Sequence, residues 1–280
     1  MIFPKFKIDF KFRFPTKWNE LSPWQLNMIG RILYKNVKFD PKVFVALLVV
    51  ILSMPRPSIK NFFKSSYLLL RIPLTELEGY TNFILDENEN LTRFPNSIKA
   101  GFKKVYGPAP RLSNVSIEEL SYADTFYYNW KTEKKDIDLE RLVAVLYRLP
   151  KKERKNVDDI RIEFNKLLLP KRSKLTEKIP MYKKYIVALA YEGSRNVLVS
   201  RYKNVFPTQV NSEEKVNKAP NKKRPYQPFS KIITSMVLEE TQPFGKLQDA
   251  SKANAISFLE IYDESIKRQK DLEKRLKSKK

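Results

Sequence analysis

The chain has 280 residues, with 54 Lys+Arg against 31 Asp+Glu and neither His nor Cys. Without imidazole or thiol there is no structural zinc outside rare all-carboxylate sites, no Ser-His-Asp or Cys-His nucleophile, no disulfide and no thiol redox chemistry, so any acid–base work falls to Asp, Glu, Lys or Tyr. A hydrophobic fraction of 42% is enough for a core, and a net charge of +23 favours a polyanionic partner, unless an AT-rich genome has inflated Lys.

Lys5–Phe14 alternates without a miss, with Phe6, Ile8, Phe10, Phe12 and Phe14 on one face and Lys5, Lys7, Asp9, Lys11 and Arg13 on the other. A period of two predicts a half-buried strand. Such a strand needs partners, and Asn82–Leu85 and Leu91–Phe94, joined by the polar turn Asp86–Asn90, read as a hairpin beside it. Helices dominate the rest. Ser22-Pro23 supplies an N-cap and a first-turn proline ahead of Trp24, Leu26, Ile29, Ile32 and Leu33. Asp40-Pro41 repeats the device before Val43–Leu52, an apolar segment expected to be buried and well short of the ~20 residues that span a bilayer. Pro55 and Pro57 end it, and a further helix is expected from Ser58 to Leu70.

Tyr106–Pro110 reads as a rigid loop. Ser116 and Glu119 form a capping box for a helix whose inner face is Leu120, Ala123, Tyr127 and Trp130. Leu139–Leu149 follows, with Leu142, Val143, Leu146 and Tyr147 inward. Asp158 or Asp159 is expected to cap a segment reaching Leu169, and Pro180 to open a helix that stops at Gly193. From Pro207 to Ser230 the composition turns to Pro, Asn and Lys, a linker. Ile232–Leu238 reads as helical. Ala250–Lys277 reads as a long helix with the stripe Ile256, Leu259, Ile261, Tyr262 and Ile266 and a basic end. The expectation is a mainly α protein of the α+β kind, with a small N-terminal antiparallel sheet and a long C-terminal helix. The multi-helix body covers 1–206, the linker 207–230 and the helical C-terminal segment 231–280.

Chemistry is sparse. There is no Walker loop, dinucleotide fingerprint, nucleophile elbow or calcium loop; the acidic run Asp86–Asn90 lacks the central Gly and the closing Glu. Asp124, Glu192 and Asp158 are the best carriers an enzyme could have. Asp124, Arg148, Glu192 and Arg195 read more simply as structural ion pairs at helix ends. No catalytic residue, metal ligand or cofactor is expected. The basic clusters are Lys151–Lys155, Lys171–Lys174 and Lys222-Lys223-Arg224. Only the last has nearby aromatics, so Lys222, Lys223, Arg224 and Tyr226 are the candidate nucleic-acid contacts. Ile256, Leu259, Tyr262 and Ile266 are the candidate docking stripe for a partner protein.

Several motifs, taken in order, carry a resemblance. They are Phe14-Pro15-Thr16-Lys17-Trp18-Asn19-Glu20-Leu21 with Gln25-Leu26, Tyr106-Gly107-Pro108-Ala109, Leu112-Ser113-Asn114 and Ala123-Asp124-Thr125-Phe126-Tyr127. Leu142-Val143-Ala144-Val145-Leu146-Tyr147-Arg148 and Tyr191-Glu192-Gly193-Ser194-Arg195-Asn196 complete the set. Over about residues 10–210, and again at Phe244-Gly245 before the last helix, the chain resembles poorly characterised morphogenesis-associated proteins of tailed phages and prophages of Bacteroidetes hosts, tail assembly chaperones among them. The resemblance implies a non-enzymatic role in particle or tail assembly. Its partners would be other phage structural or tail proteins, with nucleic acid as the electrostatic alternative and no membrane. The location it implies is the host cytoplasm, with the virion second. It supplies no catalytic residues.

Overall fold

The structure, a computed structural model, describes residues 14–35, 41–52, 58–86, 89–152, 159–206 and 245–278. The described chain is mainly helical, with one two-stranded antiparallel sheet and a long C-terminal helix. Its contacts divide it into two compact units, Met1–Glu89 and Asn90–Lys280. The expected single body over 1–206 is therefore cut inside the segment read as a hairpin.

In the first unit, α1 (Pro23–Lys35) begins on a reciprocal capping box. Gln25 N donates to Ser22 Oγ at 3.2 Å and Ser22 N donates to Gln25 Oε1 at 3.0 Å. The same Gln25 side chain donates through Nε2 to Ile51 O at 3.2 Å, satisfying a carbonyl at the end of α2 (Pro41–Leu52). Leu47, Leu48, Ile51 and Leu52 of α2 are fully buried, as its all-round apolar sequence requires. Then come α3 (Ile59–Arg71), α4 (Leu74–Leu77) and α5 (Asn82–Leu85). Leu48, Leu52 and Leu77 form a core cluster, with Phe14, Phe44, Leu69 and Ile72 packed against it.

The second unit opens with β1 (Ser97–Ala100) and β2 (Lys103–Tyr106), paired antiparallel with Ala100 opposite Lys103. Gly101, at φ 61°, takes the positive-φ position of the two-residue turn. Around them stand α6 (Ile117–Glu133), α7 (Asp136–Leu146), α8 (Leu169–Thr176), α9 (Met181–Arg201), α10 (Leu247–Lys252) and α11 (Ala255–Lys277). α7 is the centre. Leu142 to Leu146 are all sealed from water, and the helix packs against α6, α8 and α9.

Four local expectations differ from this arrangement. Asn82–Leu85 is a helical turn and Leu91–Phe94 belongs to neither strand; the hairpin lies later, at 97–106. A four-residue apolar run does not declare its period, and the true strands are Lys-rich. Gly193 does not end α9, which runs on to Arg201. The glycine is there because the chain at Leu91 crosses α9 so closely that a Cβ would stand 2.3 Å from Leu91 O. Asp159 caps no helix. Asn165 caps the short turn Lys166–Leu168 by accepting from Leu167 N. The strand over residues 5–13, the caps at Asp40 and Asp158, Pro55 and Pro57, the linker 207–230 and the helix Ile232–Leu238 lie outside the described residues.

Candidate functional site

A half-open cavity of about 320 Å³ lies in the second unit at the N-terminal end of α6. Three pieces of backbone bring its groups together. Tyr106 and Arg148 exchange main-chain hydrogen bonds, which carries the hairpin onto the end of α7. Lys151 N donates to Ile160 O and Ile162 N to Leu149 O, so the chain after α7 pairs with the segment holding Asp159 and Arg161. Ile117 N donates to Ala253 O and Ala255 N to Val115 O, which fixes the α10–α11 junction beside Ser116.

At the cavity's back wall, Arg161 is completely buried and its guanidinium is fully engaged. Nη1 donates to Glu119 Oε1 at 2.9 Å and to Leu146 O at 2.8 Å. Nε donates to Asp159 Oδ1 at 2.9 Å. Nη2 donates to Asp159 Oδ2 at 2.8 Å and to Asn114 O at 3.2 Å. Arg148 approaches the other side of the same carboxylates, with Nη1 2.8 Å from Glu119 Oε2 and Nη2 3.4 Å from Asp159 Oδ2. That Nη1 contact is close but off the hydrogen-bonding direction, so Nε and Nη1 of Arg148 make no hydrogen bond among the described residues. Arg172 is buried in the same way, with Nη2 donating to Glu163 O at 3.0 Å and its Nε and Nη1 unbonded. Both guanidiniums lie about 6 Å from the Phe164 ring centroid, at 6.0 and 5.9 Å. The π-face supplies part of the compensation that hydrogen bonds do not.

The electrostatics follow from burial and pairing. Burial lowers the Arg148 pKa and outweighs the attraction of Glu119. Burial also acts against Arg161, but Glu119 and Asp159 together raise its pKa. Burial pushes the Asp159 carboxyl up, yet the hydrogen bonds and charge of Arg161 hold it below its ordinary value. The cavity is thus a set of fixed charges of both signs, completed by Lys151, Lys252, Glu118 and Glu163 at its lining. Among the described residues no acidic cluster is arranged to hold a metal ion. No helix among them is long and apolar enough to cross a membrane.

No family model matches the chain, and neither a curated protein nor a solved structure matches it.

The four residues expected as ion pairs fall into separate places. Asp124, buried on α6, accepts from Arg195 Nε at 2.6 Å and from Tyr191 Oη at 3.1 Å, both on α9. Glu192 pairs with Lys131 at 2.7 Å on the half-exposed side of the same helix pair. Burial, and then the neighbouring Glu192, push the Tyr127 phenol far up. Arg148 belongs instead to the cavity. Its partners Glu119 and Asp159, and Arg161 with them, were not singled out as a site. The sequence signals are Glu119 in the capping box and Asp159 as a candidate cap, and both point to local roles. Ser116 Oγ does accept from Glu119 N at 3.2 Å, but the Glu119 carboxylate turns to the two arginines.

The candidate docking stripe lies on the first half of α11. Leu259 is fully buried and Ile256, Tyr262 and Ile266 are half-buried, because the first half of α11 packs on its own unit. Asp263 accepts from Asn204 N at 2.9 Å, and Arg201 bonds Glu260. Within the patch Lys171–Lys174, Arg172 is buried and Lys171 and Lys174 are exposed. Lys222, Lys223, Arg224 and Tyr226 lie outside the described residues.

Proposed function

We propose that this chain is a non-enzymatic protein of phage particle or tail assembly, a chaperone or minor structural component acting by contact in the host cytoplasm. One observation carries the contact reading. Along α3, Ile59 is 79% exposed, Phe63 67%, Tyr67 47% and Leu70 86%. Their spacing of four, four and three residues sets them on one side of the helix. A row of large apolar side chains in water marks a surface meant to be covered. The resemblance of the motifs at 14–26, 106–148 and 191–196 to phage morphogenesis proteins supports the biological setting. The cavity fits the same reading: its paired charges suit holding elements in place more than moving a proton.

The test is genetic. A phage genome deleted for the coding sequence is supplied with the wild-type chain or with Leu70→Asp, and tailed particles are counted by electron microscopy. The reading expects loss of complete particles on deletion, rescue by wild type and no rescue by a folded Leu70→Asp chain. Normal particles after deletion overturn it.

A second reading, a basic nucleic-acid-binding protein of phage replication or packaging, is favoured by the net charge of +23 and by the end of α11. There Lys267, Arg268, Lys270, Lys274, Arg275 and Lys277 are all exposed. Counterion release predicts affinity falling steeply with salt. Titration with single- and double-stranded DNA at two salt concentrations decides it, and absence of binding at low salt ends it.

A further inference from the structure

Gly101 and Phe102 make the turn that closes the β1–β2 hairpin. Gly101, at φ 61°, supplies the backbone geometry that the first central position of a type II′ turn requires. Phe102 has no such duty. At 111% exposure it is the most exposed large apolar side chain among the described residues. It stands where turns ordinarily place Gly, Asn, Asp or Ser. It fills no cavity and makes no ring contact among the described residues.

The ring rises from a collar of cations. Lys99 and Lys104 are direct cross-strand partners, and Lys103 sits opposite Ala100. Lys178 lies beside the turn, where a Cβ on Gly101 would stand 3.1 Å from its Cδ. All four lysines are exposed, and none pairs with a carboxylate among the described residues. Like charges directly opposite on a sheet destabilise it. Lysine on an edge strand guards against pairing with another chain, but that role does not call for an aromatic at the tip. A chain of phosphates with flat, stackable faces satisfies both features: its charge neutralises the lysines and a base covers the ring.

We propose that the β1–β2 hairpin is a contact site for single-stranded nucleic acid, with Phe102 stacking on a base and Lys99, Lys103, Lys104 and Lys178 holding the flanking phosphates. The site rests on the nucleic-acid reading above and gives it a place on the surface. Single strands are favoured because bases inside a duplex already stack on one another and leave no face for the ring. An anionic membrane is the poorer match. Even a myristoyl chain holds a protein only marginally at a bilayer, and one phenyl ring buries far less apolar surface.

Phe102 packs on nothing, so Phe102→Ala should unfold at the wild-type temperature. Binding of the full chain to a short dT oligomer, to a dA·dT duplex of the same length and to anionic vesicles is measured over a range of salt. The proposal expects Phe102→Ala to weaken oligomer binding at least fivefold at every salt concentration, and Phe102→Trp to restore it. Duplex binding should not respond to Phe102→Ala. Lys99→Gln with Lys104→Gln should make the oligomer's salt slope shallower by about 1.4, for two phosphates at ~0.7 each. The proposal is overturned by wild-type oligomer binding in Phe102→Ala, by an equal loss on the duplex, by an unchanged slope in the lysine pair, or by a loss on vesicles alone, which would make the tip a membrane anchor.

The site and the reading beneath it fail separately. Oligomer binding that survives these substitutions, and disappears when the exposed Lys and Arg at the end of α11 become Gln, removes the hairpin and keeps the reading. No binding by the wild-type chain at low salt ends both.

Discussion

Arg161 Nη1 donates to Glu119 Oε1 at 2.9 Å, and both side chains are closed to water. The pair joins α6 to a segment 42 residues away, and acceptors on three further residues, Leu146, Asn114 and Asp159, complete the guanidinium. Arg161→Ala leaves Glu119 and Asp159 facing Arg148 alone inside a desolvated space. Breaking one partner of a buried pair destabilises by about 3–5 kcal/mol. Urea denaturation is expected to show that loss. Arg161→Lys should recover less than half of it, because an ammonium cannot reproduce the fork. Full rescue by Lys would show that charge alone matters here.

Acid should act through Asp159. Its folded pKa lies below the ordinary 3.8, so the ionised form is favoured by folding. That contribution is complete above the ordinary value and is lost as pH falls through the folded one. The urea midpoint is therefore expected to fall steeply only below about pH 4, and Asp159→Asn to flatten the acid slope. An Asp159→Asn chain with the wild-type slope would assign acid sensitivity elsewhere.

Gly193 gives a prediction opposite to helix propensity. In a mid-helix position Gly→Ala ordinarily stabilises by about 1 kcal/mol. Here the new methyl meets Leu91 O and the Leu91 carbonyl carbon, both main-chain atoms that cannot swing aside. Gly193→Ala is expected to destabilise by about 1–3 kcal/mol, as overpacking does, and calorimetry should show a lower unfolding temperature. A rise would mean that the Leu91 segment yields easily.

The two halves of α11 should answer differently. Phe258 is fully buried, so Phe258→Ala is expected to cost about 3–5 kcal/mol. Leu272 and Leu276 are 61% and 67% exposed, and Leu272→Ser or Leu276→Ser should change stability by about 0.5 kcal/mol or less. Equal effects would contradict the division of the helix.

What the sequence made legible was local. Ser22-Pro23, Ser116 with Glu119, the all-apolar run of α2 and the inward face of α7 are all patterns within a few residues, and each forms its expected element. The sheet escaped notice because Lys99, Lys103 and Lys104 interrupt any apolar alternation, and because Gly101 alone sets the turn. The cavity escaped for a different reason. Glu119, Arg148, Asp159 and Arg161 are spread over more than 40 residues, and only main-chain pairing at Tyr106–Arg148 and Leu149–Ile162 brings them together. The long C-terminal helix was legible, but its stripe is half-buried against its own unit because Asn254 closes on the loop before α6. Asn254 Nδ2 donates to Ser113 O at 2.7 Å, across 141 positions of chain.

That closure sets a timetable for synthesis. While a ribosome is still translating the residues just before Ala253, α6 has emerged but lacks the strand-like neighbour that receives Ile117 N and donates to Val115 O. Buried side chains such as Val115 and Ile117 then depend on residues not yet made. Contacts of such long range form slowly, and a nascent chain held open there is the species most open to chaperone capture or proteolysis.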